Sequence, residues 1–331
     1  MARRRLIGLL LLGLALVAVC VASIAVGAKP IPLDGVWHAL FEPTGVEDDV
    51  IIRSLRVPRT LIGIAAGIAL GVGGALMQGH TRNPLADPGI LGVTHGAALA
   101  VVLSIFLLDV SSLYGYIWFA FAGSMIASVA VFLLGSAGRG GSSPVTLALA
   151  GAAVSALMHG LVSAIVLLDQ QSLDAFRFWQ VGSIAGRDLT VLSQVLPFLV
   201  VGLVLAFVNA PGLNSIALGE DVARALGTRV GQTRVLGVVA ITLLVGGAVA
   251  ACGPIGFLGL VVPHLARALV GPDYRWLLPL SGLFGAVLIL LADVVGRVVA
   301  RPSEVEVGVM LALVGAPFFV VLVRRRKLVK L

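Results

Sequence analysis

Ten runs of mostly apolar residues, most of them close to the length that crosses a bilayer, dominate this chain. They occupy residues 6–28, 59–79, 90–108, 115–135, 145–168, 189–208, 232–252, 255–270, 277–297 and 305–323. A membrane-spanning helix needs roughly 20 such residues. The expected fold is therefore all-α: one polytopic transmembrane domain over residues 1–331 with about ten transmembrane helices. The eighth run is short, and "CGPIGFLGLVVPHLAR" carries Pro254 and Pro263, which predicts a broken or tilted helix. Broken helices are tolerated in membranes where protein or a polar cavity satisfies the freed backbone groups.

Composition agrees. Of 331 residues 59% are hydrophobic and 12% charged, with a mean hydropathy of +1.09, against about 25% charged in soluble domains. Aromatic residues make up only 6% while glycines number 41, a mixture suited to close helix packing in lipid. The first run follows a basic start but is longer than a secretion-signal core, so it reads as a retained helix. Cys20 and Cys252 both lie in apolar runs and read as small hydrophobes.

Placing both termini in the cytoplasm puts 15 of the 23 Lys and Arg residues on inner segments, as the positive-inside bias requires. The net charge of +7 then reflects residues flanking the spans and implies a lipid membrane, with no nucleic-acid partner.

Ionisable residues inside the runs are sparse. Asp293 is the clearest, and Arg297 one turn later makes an i,i+4 pair the expected arrangement. The five histidines show no metal-ligand spacing, and no catalytic constellation is visible. An ion-coupled carrier would need coupling groups near the midplane. The phosphate-cradling GxxxxGK[ST] pattern is absent, so energy from ATP would have to arrive through a partner. The connection from residue 209 to 231, "NAPGLNSIALGEDVARALGTRVG", predicts a short helix with Glu220 and Asp221 at its start and Gly227 just past its end. Such a helix can dock into a groove on a soluble subunit.

Six strings resemble, in order and spacing, the permease family of ABC importers for iron-siderophores, haem and cobalamin. They are "RVPRTL" at 56–61, "GALMQGHTRNPLADPGILGV" at 74–93, "IALGEDVARALG" at 216–227, "GPIGFLGLVVPHLAR" at 253–267, "LADVVGR" at 291–297 and "VGAPFF" at 314–319. Within that family "FRFWQVGS" at 176–183 and "TRNPLADPG" at 81–89 look most like permeases for ferric catecholate siderophores of the enterobactin type.

The resemblance implies the architecture of a type II ABC importer permease in a bacterial cytoplasmic (inner) membrane. It implies a second permease subunit, a heterodimer being favoured over a homodimer, a dimer of cytoplasmic ATPase subunits carrying the ATP and Mg²⁺, and an extracytoplasmic substrate-binding protein. No cofactor is expected on this chain. Arg56, Arg59 and Arg297 match positions that grip glutamates of the binding protein. Asn83, Pro84 and Leu85 match one cytoplasmic gate segment, and Ser142 and Ser143 a second. Gly219, Glu220, Ala223 and Gly227 match the coupling helix, set in segment 215–227, that meets the ATPase. The cargo implied is a ferric siderophore, with haem or cobalamin as alternatives.

Overall fold

The computed structural model describes residues 2–27, 29–110, 112–137 and 144–324. Ten apolar helices run back and forth between two faces, called near (where the first begins) and far (where it ends). Helix α1 is Ala2–Ala25. On the far face follow α2, Leu33–Phe41, and α3, Glu47–Val50, which continues through a π-helical stretch, Ile51–Arg56, into α4, Val57–Thr81. Then come α5, Val93–Leu108, α6, Leu113–Ser136, and α7, Pro144–Leu168. Helix α8, Gln170–Gln180, lies at the far face, and α9, Leu189–Ala217, returns to the near face. The short α10, Glu220–Ala225, precedes α11, Val230–Cys252, α12, Leu258–Val270, α13, Tyr274–Val299, and α14, Val307–Arg324.

Seven of these helices are long and apolar enough to cross a membrane, and α5, α12 and the described part of α14 are shorter apolar helices. Together they match the ten runs read from sequence. Capping side chains set several boundaries: Ser112 accepts from the Gly115 amide, Asp188 from the Thr190 and Val191 amides, and Asp273 from the Arg275 amide. Each satisfies an N–H that the first turn leaves open. The sixth run extends further than expected. Helix α9 carries Pro211 in its interior and continues to Ala217, so the first part of the 209–231 connection is helix and not loop.

Helix α4 is the hub, packed against α13, α11, α12 and α9, and small residues let its neighbours come close. Beside it two irregular segments, 86–92 and 253–257, face each other across a cavity of about 130 Å³ that also touches Leu70 and Val245. Each ends on a left-handed residue, Gly92 (φ 71°) or Phe257 (φ 64°), and then starts a short helix, α5 or α12. This is the break expected at Pro254. Pro263 sits within α12 without interrupting it. Irregular backbone at this depth is stable because it lines a cavity and is covered by protein.

Candidate functional site

Three regions hold the residues singled out from sequence. The first is a mouth on the far face, a cavity of about 360 Å³ lined by five basic side chains (Lys29, Arg56, Arg59, Arg187, Arg297) and two acidic ones (Asp188, Glu304). Arg56, Arg59 and Arg297, separated in sequence, come together here.

Their guanidinium groups are turned into the chain. Arg59 donates to Asp293 Oδ1 at 2.7 and 3.0 Å and to Glu304 Oε2 at 2.6 Å. Arg297 Nη2 lies 2.8 Å from Asp293 Oδ2, the i,i+4 pair expected from sequence. Arg297 also donates to the Ser23 and Val26 carbonyls at 2.9 Å each. Arg56 donates to the carbonyls of Ile24 and Ala25 at 2.7 Å and to that of Lys29. The last carbonyls of a helix have no partner within it, so Arg56 and Arg297 cap the far end of α1. Arg297 is only 2% exposed and Arg56 6%. Sequence reading expects these side chains to present themselves to a partner; the exposed cations at the far face are instead Lys29, Arg53, Arg177 and Arg301.

Asp188, at the edge of the mouth, ties α6 to α9. Burial pushes its carboxyl up, but hydrogen bonds from the Tyr114 hydroxyl (2.8 Å), the Val191 and Thr190 amides and the Thr190 hydroxyl outweigh this and hold it below the usual carboxylate range. A depressed folded-state pKa adds stability above the unfolded value, about 3.9 for Asp, and that stability is lost as pH falls through the folded value. Melting curves of the native protein and of Asp188→Ala are therefore expected to differ most above about pH 4 and to converge under more acidic conditions. A difference independent of pH would refute this role.

The second region is the near-face turn after α4. Arg82 takes a left-handed conformation (φ 50°) that ends the helix, and Asn83 Oδ1 accepts from the Leu85 amide at 3.0 Å. Asn83 is exposed, while Pro84 and Leu85 are half-buried. The chain then turns back into the protein at Asp87 and Pro88, which line the 130 Å³ cavity. Ser142 and Ser143 lie outside the described residues.

The third region is α10. Gly219 (φ 112°) precedes it. Gly227 (φ 81°) ends it in a paired closure, with the Thr228 amide donating to the Ala223 carbonyl and the Gly227 amide to that of Arg224, both at 2.9 Å. Such a closure favours glycine because its residue has positive φ. Glu220 is held by Arg224 at 3.2 Å and by Arg234 of α11. Ala223 is fully buried against Ile216 and Val230, so it seats α10 on its own chain. The surface offered outward is different: Val222 of α10 is exposed, and so are Leu218 and Leu226 just beyond its two ends. The i,i+4 spacing of Val222 and Leu226 is visible in the sequence and is the signal that finds those two.

Deeper on the near face, Arg267 of α12 donates to Gln78 of α4 at 3.0 Å, and Asn214 of α9 donates to Asp273 at 2.8 Å and accepts from the Tyr274 amide at 2.9 Å. These bonds tie the near end of α4 to α12, and the near end of α9, against which α10 packs, to α13. Among the described residues, no group of three or more His, Cys, Asp or Glu could hold a metal ion.

Comparison with known proteins agrees with this arrangement. The chain is 48% identical over 320 residues to the ferric enterobactin transport system permease protein FepD of Escherichia coli (strain K12), covering 96% of this chain and 94% of that one. It is 38% identical to the hemin transport system permease protein HmuU of Yersinia pestis, covering 98% and 96%. Among solved structures it matches, with a TM-score of 0.84 and 32% identity, an inward-facing conformation of a transporter assigned to the metal-chelate ABC type, covering 96% of this chain and 98% of that one. The model of the FecCD transport family matches residues 15–325, and with ten apolar helices, a far-face mouth and an exposed near-face helix in the same chain, the protein belongs to that family of transport permeases.

Proposed function

We propose that this chain carries a ferric siderophore of the catecholate class across a bacterial inner membrane, with both termini cytoplasmic, as one of two permease subunits in an ATP-driven importer. The near face is then cytoplasmic and the far face receives the binding protein. The observation that carries the ATP-driven part is α10: a helix rigidly seated by Ala223 and the Glu220–Arg234 pair that leaves Leu218, Val222 and Leu226 bare at the near face. An apolar helix side of this kind fits a groove, and the partner proposed for it is the ATPase dimer, which holds ATP and Mg²⁺. No cofactor is assigned to this chain.

In this reading α9 and α11, on which α10 is seated, pass the movement of the ATPase to α4, and the turn at Asn83–Leu85 opens and closes the near end of the pathway. At the far face the mouth is net basic, which favours an acidic partner surface. Arg56, Arg59 and Arg297 support docking by holding α1, α4 and α13 in place, and Glu304 and the exposed Lys29, Arg53, Arg177 and Arg301 are charged groups within reach of a partner. The two permeases are proposed to be different chains. The catecholate assignment rests on the identity to the enterobactin permease.

The test pairs Val222→Asp with Leu226→Asp in cells that depend on this importer. Burying a charge at the centre of an apolar contact costs at least about 2 kcal/mol, roughly thirtyfold in affinity. Uptake of labelled ferric catecholate and recovery of the ATPase with the permease should both fall by about that factor or more, while the amount of permease in the membrane stays unchanged. Full retention of the ATPase by the double variant would remove α10 as its docking site.

A further inference from the structure

A second cavity, of about 210 Å³, lies between α5, α7 and α8, beneath the far face. Its chemistry is concentrated in His95 of α5, His159 of α7, and Phe176 and Trp179 of α8. The two imidazoles stand edge to face, 6.3 Å between centroids, and the Phe176 and Trp179 rings are nearly parallel at 6.5 Å. His95 Nδ1 and Trp179 Nε1 are both buried with no protein partner, although buried polar atoms normally have one. Ionisable side chains within membrane spans mark pathways and face a cavity or a partner. His159 meets that description: it lies in the apolar helix α7, is exposed, and lines this cavity.

The cavity leads somewhere. It shares Thr94 and Pro254 with the 130 Å³ cavity that reaches Asp87 and Pro88, just past the Asn83–Leu85 turn. The two cavities are therefore neighbours, lying in succession from beneath α8 toward Asp87 and Pro88.

Size and lining define what fits. A cavity of about 150 Å³ holds a benzene ring, so 210 Å³ takes one aryl group and not a whole chelate. No carboxylate lines it. Flat ring faces favour an aromatic guest, and the unpartnered nitrogens offer hydrogen bonds to oxygens on that ring. We propose that this cavity is a transit site that holds one aryl arm of an anionic aromatic iron chelate, with His95, His159 and Trp179 contacting its oxygens and Phe176 its face. The proposal rests on the ferric catecholate reading above.

The test uses the complete importer with Trp179 as the sole tryptophan of this chain (Trp37→Phe, Trp118→Phe, Trp276→Phe). Ferric catecholate should quench Trp179 fluorescence saturably, and ferric citrate, which lacks an aromatic ring, should not. His159→Ala is at an exposed position, so the fold should tolerate it; it should raise the half-saturating concentration about tenfold, the loss of one hydrogen bond to a charged group. His159→Gln, which keeps an N–H donor, should recover part of that loss. If the importer takes up ferric catecholate while Trp179 is not quenched, or if His159→Ala shifts neither quenching nor uptake by more than about twofold, the transit site is wrong and the import reading stands. Quenching by haemin and not by ferric catecholate also overturns the site. If the unsubstituted importer takes up no ferric catecholate at all, the import reading fails and this proposal fails with it.

Discussion

Replacing Asp293 with Ala is expected to destabilise the purified protein by about 3–5 kcal/mol, lowering its melting temperature by roughly 10 °C. The size follows from where the carboxylate sits. Asp293 is 1% exposed and meets Arg59 on one oxygen and Arg297 on the other. Removing it leaves two buried guanidinium groups, of which Arg59 keeps Glu304 and Arg297 keeps no carboxylate partner. An uncompensated buried charge is far more costly than the loss of the pair as a whole. The triple change Arg59→Met, Asp293→Leu, Arg297→Met should therefore lose less than the sum of the single changes, a non-additivity that a thermodynamic cycle reads directly. Additive losses would mean the three side chains act independently. The same substitution should loosen the far end of α1, because Arg297 caps its carbonyls from a position that Asp293 helps to fix.

Leucine at Gly74 is the second large effect. A Cβ there would stand 2.2 Å from the Gly259 carbonyl oxygen and 2.4 Å from its Cα, both backbone atoms that cannot rotate away. Helices α4 and α12 meet at this point with almost nothing between them, the close approach that small residues permit in membranes. Gly74→Leu is expected to abolish the monodisperse protein on size exclusion, and Gly74→Ala to lower stability by several kcal/mol, above the 1–3 kcal/mol typical of overpacking. Gly13→Leu, in α1 with no atom within 4 Å of its Cβ position, should leave yield and stability unchanged. Equal tolerance at both positions would contradict the packing of α4 on α12.

The helices were legible in sequence because crossing a bilayer imposes a length and a polarity on each one, and neither needs knowledge of neighbours. The boundaries of α9 were not, since Pro211 looks like a stop and the chain continues as helix to Ala217. Helix α2 was missed although Leu33, Trp37 and Phe41 recur at helical spacing with the last two rings 4.3 Å apart; it is too short to cross, and attention to spans passed over it. The segment of α10 is legible because its two positive-φ positions, Gly219 and Gly227, enclose it. The sequence match names Gly219, Glu220, Ala223 and Gly227; that Ala223 turns inward and Val222 outward depends on Ile216 and Val230, which no local pattern announces.

The mouth shows the limit most clearly. Position alone brought Arg56, Arg59 and Arg297 to one end of the bundle, but the partners of Arg56 and Arg297 include carbonyls of residues 23–29, and no local pattern announces a helix cap supplied from 27 to 274 residues away. The cavity at His95 and His159 was hidden for the same reason: two histidines without ligand spacing become neighbours only when α5 and α7 pack.

The central claim, that this permease moves its cargo only when an ATPase acts on α10, is tested most directly by uptake into proteoliposomes. Vesicles holding the paired permeases and their ATPase, with Mg-ATP inside and the loaded binding protein outside, should accumulate ferric catecholate. Leaving out ATP, the ATPase or the binding protein, or carrying Val222→Asp with Leu226→Asp, should each reduce accumulation to the level of empty vesicles. Accumulation that persists without ATP and collapses on addition of an ionophore would contradict the account and make the chain an ion-coupled carrier.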